Sequence, residues 1–193
     1  MLRYAMALAI AVGIVAPAGA TTLVRAGMEK LVAENSTIVV GDVVDANSYW
    51  NADGSFILTD VRLAVSQVLK GRPQDREIKI TLMGGRVGDL TTLIIGGPEL
   101  VPGRSYVLFL NNEDLPGVQG VTTVRDLVQG AFDLVLAKDG VRAVSQANSH
   151  PLLPDAKGYV DAPGGVEGMP LNAMIESIRE QVERPRTDRP EVN

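Results

Sequence analysis

The chain has 193 residues, 46% hydrophobic and 21% charged, which fits one globular domain with short extensions. Its 18 Lys and Arg stand against 23 Asp and Glu, a net charge of −5 with no basic stripe, which excludes the clustered phosphate neutralisation that nucleic-acid binding needs. There is no cysteine, so disulfides, a thiol nucleophile, thiolate metal sites and a lipid-modified N-terminal Cys are all excluded.

The first residues carry an address. Met1-Leu2-Arg3-Tyr4 is a short positive start, Ala5 to Val15 is an unbroken run of apolar or small residues, and Pro17-Ala18-Gly19-Ala20 is a small-x-small site. This is the layout of a secretory signal peptide over residues 1–20, with cleavage expected after Ala20. Ala5 to Val15 is too short to span ~30 Å of hydrocarbon at about 1.5 Å per residue. Loss of Arg3 leaves 17 basic against 23 acidic residues, a net charge of −6, on a chain beginning at Thr21. The remaining chain, about 170 residues, is long enough to rely on a hydrophobic core alone. With aromatic content of 4%, that core must be made of Val, Leu, Ile and Ala.

Within Leu23 to Asn35, Met28, Leu31 and Val32 recur at helical spacing and predict a short helix. A first strand is expected over Thr37 to Val44, with Ile38, Val40 and Val44 on one face and Val39 and Val43 on the other. Asn51-Ala52-Asp53-Gly54 reads as a hairpin turn. The second strand, Phe56 to Leu69, puts Ile57, Thr59, Val61, Leu63 and Val65 on one face, and its pattern breaks near Val68-Leu69, which predicts a bulge or bend. Lys70 to Pro73 is a turn, and Ile78, Ile80 and Leu82 alternate along a third strand, Glu77 to Leu82.

A Gly-rich connection follows, and Leu93-Ile94-Ile95 inside it reads as a short strand. Ser105 to Leu110 is the next strand, and Asn111 to Gly120 reads as a polar loop. A hairpin is expected from Ala131 to Ala137 and Val141 to Ser145 about Lys138-Asp139-Gly140. Residues 148–170 read as a loop. Leu171, Met174, Ile175, Ile178 and Val182 share one face of a helix over residues 171–184, and the charged, Pro-rich end at 185–193 reads as a disordered tail. Five main strands, the second long and bent, favour a small closed barrel over a sandwich, which normally shows about seven strands. The expectation is a mainly β, five-stranded antiparallel barrel of the oligonucleotide/oligosaccharide-binding (OB) type. It occupies residues 21–147 with the N-terminal helix, and an extra hairpin strand and the C-terminal helix at 171–184 accompany it.

The order IVVGDVV, a turn, a strand ending QVLKG, a Gly-rich stretch and PGRSYVLFL resembles that of netrin-like domains. These are the OB barrels of the tissue inhibitors of metalloproteinases and of complement and netrin C-terminal modules. It is also similar to a group of exported bacterial proteins of uncharacterised function. The resemblance covers about Met28 to Phe132 and rests on strand hydrophobics and turn glycines. The metalloproteinase inhibitors place an N-terminal Cys on the protease zinc, whereas this chain would start Thr21-Thr22 and has no Cys. The resemblance therefore implies the scaffold and carries over no inhibitory residue.

Candidate sites are few. Asn51 to Gly54 fails as a calcium loop because Tyr49 stands where the first ligand belongs. Tyr49 and Trp50, just before that turn, could stack on a sugar ring, and otherwise cap one end of the barrel. Gly84-Gly85-Arg86-Val87-Gly88 lacks the Gly-Lys-Ser/Thr ending of a phosphate loop. His150 is the only histidine, with no G-x-S-x-G nucleophile turn elsewhere, and a pair such as Asp60 and Glu77 has nothing to fix its spacing. A zinc site would need more ligands than one histidine supplies. The expectation is a non-catalytic exported domain that binds another extracytoplasmic protein, without cofactor, metal, nucleic-acid partner or membrane span. Tyr49, Trp50, Asn51 and Asp53 are the expected contacts. The alternatives are a carbohydrate- or small-ligand-binding barrel using Trp50 and Tyr49, and a hydrolase depending on His150.

Overall fold

A computed structural model describes residues 25–73, 75–149 and 167–184. The signal-peptide reading, His150, most of the expected 148–170 loop and the tail at 185–193 lie outside the described residues.

The centre of the fold is a pair of strands buried on both faces. These are β1 (Thr37–Trp50) and β6 (Ser105–Leu115), paired antiparallel from Thr37↔Leu110 to Asp42↔Ser105. Tyr106 to Leu110 are all 0% exposed, which a five-residue apolar run requires: with side chains alternating between faces, both faces must be covered. On one face Ile38, Val40, Val107, Phe109 and Phe132 form a core with two helices, α1 (Met28–Glu34) and α2 (Leu171–Glu183). On the other, Val39, Val43, Tyr106, Leu108 and Leu110 form a second core with residues of the flanking strands.

Those strands are β2 (Ile57–Lys70), β3 (Glu77–Met83), β7 (Val118–Val124), β8 (Ala131–Ala137), β9 (Gly140–Ser145) and the two-residue β10 (Met169–Pro170). They make one antiparallel sheet of eight strands in the order β10-β9-β8-β6-β1-β2-β3, with β7 also on β6. The free edge of β6 is shared: β8 pairs with Tyr106 to Leu108 and β7 with Leu110 to Leu115. A separate hairpin, β4 (Gly85–Val87) and β5 (Leu90–Thr92), folds over the end of β1 and β2. Its seat needs glycine. Gly85 has φ 134°, and a Cβ there would stand 2.2 Å from Thr59 Oγ1 and 2.4 Å from Ser48 Oγ.

The expected count of five strands is therefore corrected to eight, and the hydrogen-bonded ladder does not close into a barrel: β3 and β7 approach within 8 Å of each other without pairing. The bulge expected near Val68-Leu69 is present, since Ile38 pairs with Lys70 and Val39 with Val68, leaving Leu69 over. Leu69 turns instead into the helix-facing core. Both helices lie where the apolar spacing put them, with Met174 and Ile178 of α2 fully buried. At seven residues α1 is too short to hold alone. Lys70 Nζ donates to the carbonyls of Val32, Ala33 and Asn35, placing a cation at the negative end of the helix.

Three expectations fail in a consistent way. β1 runs six residues past Val44, to Trp50, and the register shift between Val43 and Asp45 leaves Val44 48% exposed instead of facing the core with Ile38 and Val40. Asn111 to Gly120 is no loop: it is the end of β6, a tight turn at Pro116-Gly117, and the start of β7. Leu93 to Ile95 form no strand, and the short strands fall on either side of Gly88-Asp89.

The connection between β7 and β8 holds backbone strain. Asp126 and Leu127 have φ of 58° and 56°, consecutive left-handed residues without the freedom of glycine, each costing roughly 1–2 kcal/mol. The Asp126 carboxyl is pushed up from its ordinary pKa, first by burial and then by Glu34, against a lowering by Arg125, and its Oδ2 has no hydrogen-bond partner among the described residues. An acid whose pKa rises on folding favours the folded state while it is protonated, and that contribution is lost as pH climbs through the raised pKa. Asp126→Asn keeps the side chain best suited to this backbone after glycine and removes the charge. It is expected to match the parent at pH 3 and to be more stable at pH 7 by up to about 1 kcal/mol, solvent screening at this partly buried position limiting the gain. Urea titrations at both pH values check this, and an equal or lower midpoint at pH 7 would contradict it.

Candidate functional site: an apolar groove beside the glycine-rich loop

Tyr49 and Trp50 are adjacent in an extended strand, so they face opposite ways. The Tyr49 hydroxyl donates to Asp60 Oδ1 at 3.1 Å, the same oxygen that accepts from Thr81 Oγ1, while Lys79 Nζ lies 3.1 Å from Asp60 Oδ2. Burial and then the Asp60 charge raise the pKa of Tyr49. Trp50 is 40% exposed on the other side. The two rings make no joint platform.

Asn51 and Asp53 build the turn. The buried Asn51 accepts at Oδ1 from the Ser55 and Phe56 amides and donates from Nδ2 to Ser55 Oγ and the Pro116 carbonyl. Asp53 Oδ1 accepts from the Ser55 amide and hydroxyl, and these bonds lower its pKa. Asn51 is thus engaged within the chain, while Asp53 stays at the surface of the turn. The hairpin joins β1 and β2 as the sequence predicts, over a loop of six residues, 51–56.

The exposed apolar surface is elsewhere. Leu93 is 82% exposed, Ile95 89%, Leu136 82% and Val135 47%. All four line one open groove of about 1440 Å³, in which Tyr49, Trp50, Asn51 and Asp53 take no part. One wall is the Gly-rich loop from Gly84 to Leu100, and the other is the outer part of β8 with the end of β9. Large exposed apolar groups gathered on one face mark an interaction surface, whereas scattered ones need no explanation.

The loop that presents Leu93 and Ile95 is pinned on both sides. Thr59 Oγ1 donates to the Gly84 carbonyl, the Val128 amide to the Gly96 carbonyl, and the Val101 amide to the Tyr106 hydroxyl. Gln146, at the end of β9, clips Glu99 twice: its Nε2 donates to the Glu99 carbonyl and its Oε1 accepts the Glu99 amide. The Ile94 side chain lies against Gly84 and Gly97, so its neighbours Leu93 and Ile95 are left facing solvent. This apolar tip is held out by a fixed frame, which lowers the ordering cost of a contact.

Polar groups line the groove as well. Asp133 is raised above its ordinary pKa mainly by burial, opposed by a hydrogen bond from Gln146 and by the charge of Arg104. Arg104 and Arg86 line the same space. No group of three acidic or histidine side chains among the described residues is placed to hold a metal ion, and no described helix is long and apolar enough to cross a membrane.

Sequence reasoning missed Leu93, Ile95, Val135 and Leu136 as surface residues. The one available signal was an apolar triplet within a run of glycines, too short to cross a core. Comparison of the chain with protein-family models and with curated proteins returns no match.

Proposed function

We propose that this protein is a non-catalytic, exported protein-binding domain whose partner docks in the groove between the Gly-rich loop and β8. The observation that carries this reading is the apolar tip of a pinned loop, Leu93 and Ile95, beside the outer part of β8, where Val135 and Leu136 are exposed on opposite faces of the strand at the groove. A groove larger than the roughly 300–1,000 Å³ of typical small-molecule pockets suits a polypeptide better than a metabolite. The scaffold reading is OB-like and netrin-like. The order β3-β2-β1-β6-β7 around the second core, with β3 and β7 approaching each other, supports it, and β8 to β10 with the two helices are then additions. Export rests on the N-terminal pattern of residues 1–20.

The carbohydrate reading loses its footing, because Tyr49 is tied to Asp60 and Trp50 faces away from it. The test is capture from an extracytoplasmic extract on immobilised protein, run beside the Leu93→Ser/Leu136→Ser double variant. A partner retained by the parent is expected to fall about tenfold on the variant, the cost of removing two apolar anchors. Equal retention on both would overturn the assignment to this groove.

A further inference from the structure

Among the described residues the outer half of β8 has one ladder neighbour. Its ladder with β9 runs from Phe132 to Ala137, while its ladder with β6 stops at Asp133↔Tyr106. Ala137 and Val135 direct their main-chain groups to β9 across the two-residue hairpin, so Leu134 and Leu136 present their donors and acceptors on the β6 side with no ladder partner among the described residues. That side opens into the groove, since Leu134, Val135 and Leu136 all line it. Four residues at about 3.3 Å each give an edge of roughly 13 Å. Proteins normally guard such an edge with proline, an inward charge, a bulge or a cover. Leu134 to Ala137 contains no proline and no charged side chain, and its pairing with β9 runs without a shift.

Main chain and side chains then ask for the same occupant. Unpaired amides and carbonyls in an extended row are satisfied by another extended backbone. The apolar groups around them, Val135, on the strand face shared with Asp133, and Leu93 and Ile95 on the loop, suit side chains that are apolar at alternate positions. We propose that the groove binds an extended segment of the partner protein by strand addition. The segment is free of proline, pairs with Leu134 to Ala137, and lays every second side chain against Leu93 and Ile95. The edge faces the Gly-rich loop across the groove, which admits a single extended segment more readily than a strand already embedded in a second sheet. The proposal rests on the protein-binding reading and specifies its mode.

The test uses the full chain and heptapeptides selected on it from a phage-displayed library. A selected peptide is expected to slow hydrogen exchange at the amides of Leu134 and Leu136, the two on the β6 side. N-methylation of its alternate residues is expected to weaken binding about tenfold or more in one phase and little in the other, because only one phase faces β8. Leu136→Lys, which at an 82% exposed position is expected to leave the unfolding midpoint unchanged, weakens binding similarly. The proposal is overturned if no peptide is selected, if both N-methylation phases are without effect, or if the amides of Leu134 and Leu136 gain no protection. It is also overturned if the protein alone is a dimer that Leu136→Lys converts to monomer, which would make a second copy the occupant. If the extracted partner still depends on Leu93 and Leu136 but leaves those amides unprotected, strand addition fails while the protein-binding reading stands.

Discussion

Phe132→Ala is expected to remove about 3–5 kcal/mol of unfolding free energy, the cost typical of deleting a fully buried phenylalanine. Phe132 is 0% exposed on β8, with its ring centroid 5.7 Å from that of Phe109 on β6 at an interplanar angle of 50°. Such tilted pairs contribute about 0.5–1.5 kcal/mol beyond the area they bury. The chain has only three phenylalanines, so this pair supplies much of the ring volume in a core otherwise built of aliphatic side chains. That core is also what α1 and α2 dock on, so the loss should loosen the helices as well as the β6–β8 ladder. Against a total of about 5–15 kcal/mol for an ordinary domain, the variant would be marginal at room temperature. Phe132→Leu, which keeps most of the volume, should cost far less, on the order of 1.5 kcal/mol. Urea titration of both variants checks the ordering. A Phe132→Ala cost near 1 kcal/mol would mean that the site collapses around the deletion and that the ring pair does not organise this core.

The same two-sided burial explains which parts of the fold could be read in the sequence. Tyr106 to Leu110, the Ile78-Ile80-Leu82 alternation and the stripe from Leu171 to Val182 all face cores, and apolar spacing marks them. The extension of β1 past Val44 and the turn from β6 into β7 face solvent over much of their length. Their strands are held by main-chain pairing and by side-chain bonds such as Thr122 Oγ1 to Asn112 Oδ1 at 3.0 Å. A polar ribbon of this kind has no alternation to detect, and Asn, Asp and Gly within it imitate loop composition. The groove was hidden for a different reason. Its walls, Gly84 to Leu100 and Asp133 to Ser149, are joined only by the topology, and its apolar residues sit outside, where a one-sequence reading places them in the core. Tyr49 and Trp50 drew attention as aromatics near a turn, a signal that says nothing about the opposite directions imposed by adjacent positions in a strand.

Asn51→Ala is the second large effect expected, a loss of about 2–4 kcal/mol, and it separates a structural residue from a binding one. Asn51 is 5% exposed and its side chain makes four hydrogen bonds, to the Ser55 and Phe56 amides, Ser55 Oγ and the Pro116 carbonyl. Truncation leaves the Phe56 amide and the Pro116 carbonyl without this partner, while exposed Ser55 keeps its bonds to Asp53 Oδ1; a buried group left unsatisfied costs about 1–3 kcal/mol, more than the bond itself contributes. The bond to Pro116 joins the β1–β2 loop to the β6–β7 turn, two hairpins 65 residues apart. Packing there is close: a Cβ on Gly117 would stand 2.7 Å from Asn51 Nδ2. Asn51→Asp keeps the shape and the two acceptor bonds but loses the donor to Pro116, so it should fall between the parent and alanine. If Asn51 served chiefly to hold a ligand, Asn51→Ala would unfold at the parent's urea midpoint and lose only binding. The hydrogen bonds require the reverse: a lowered midpoint, faster hydrogen exchange in the 51–56 and 115–118 loops together, and unchanged peptide affinity at the groove under conditions where the variant remains folded.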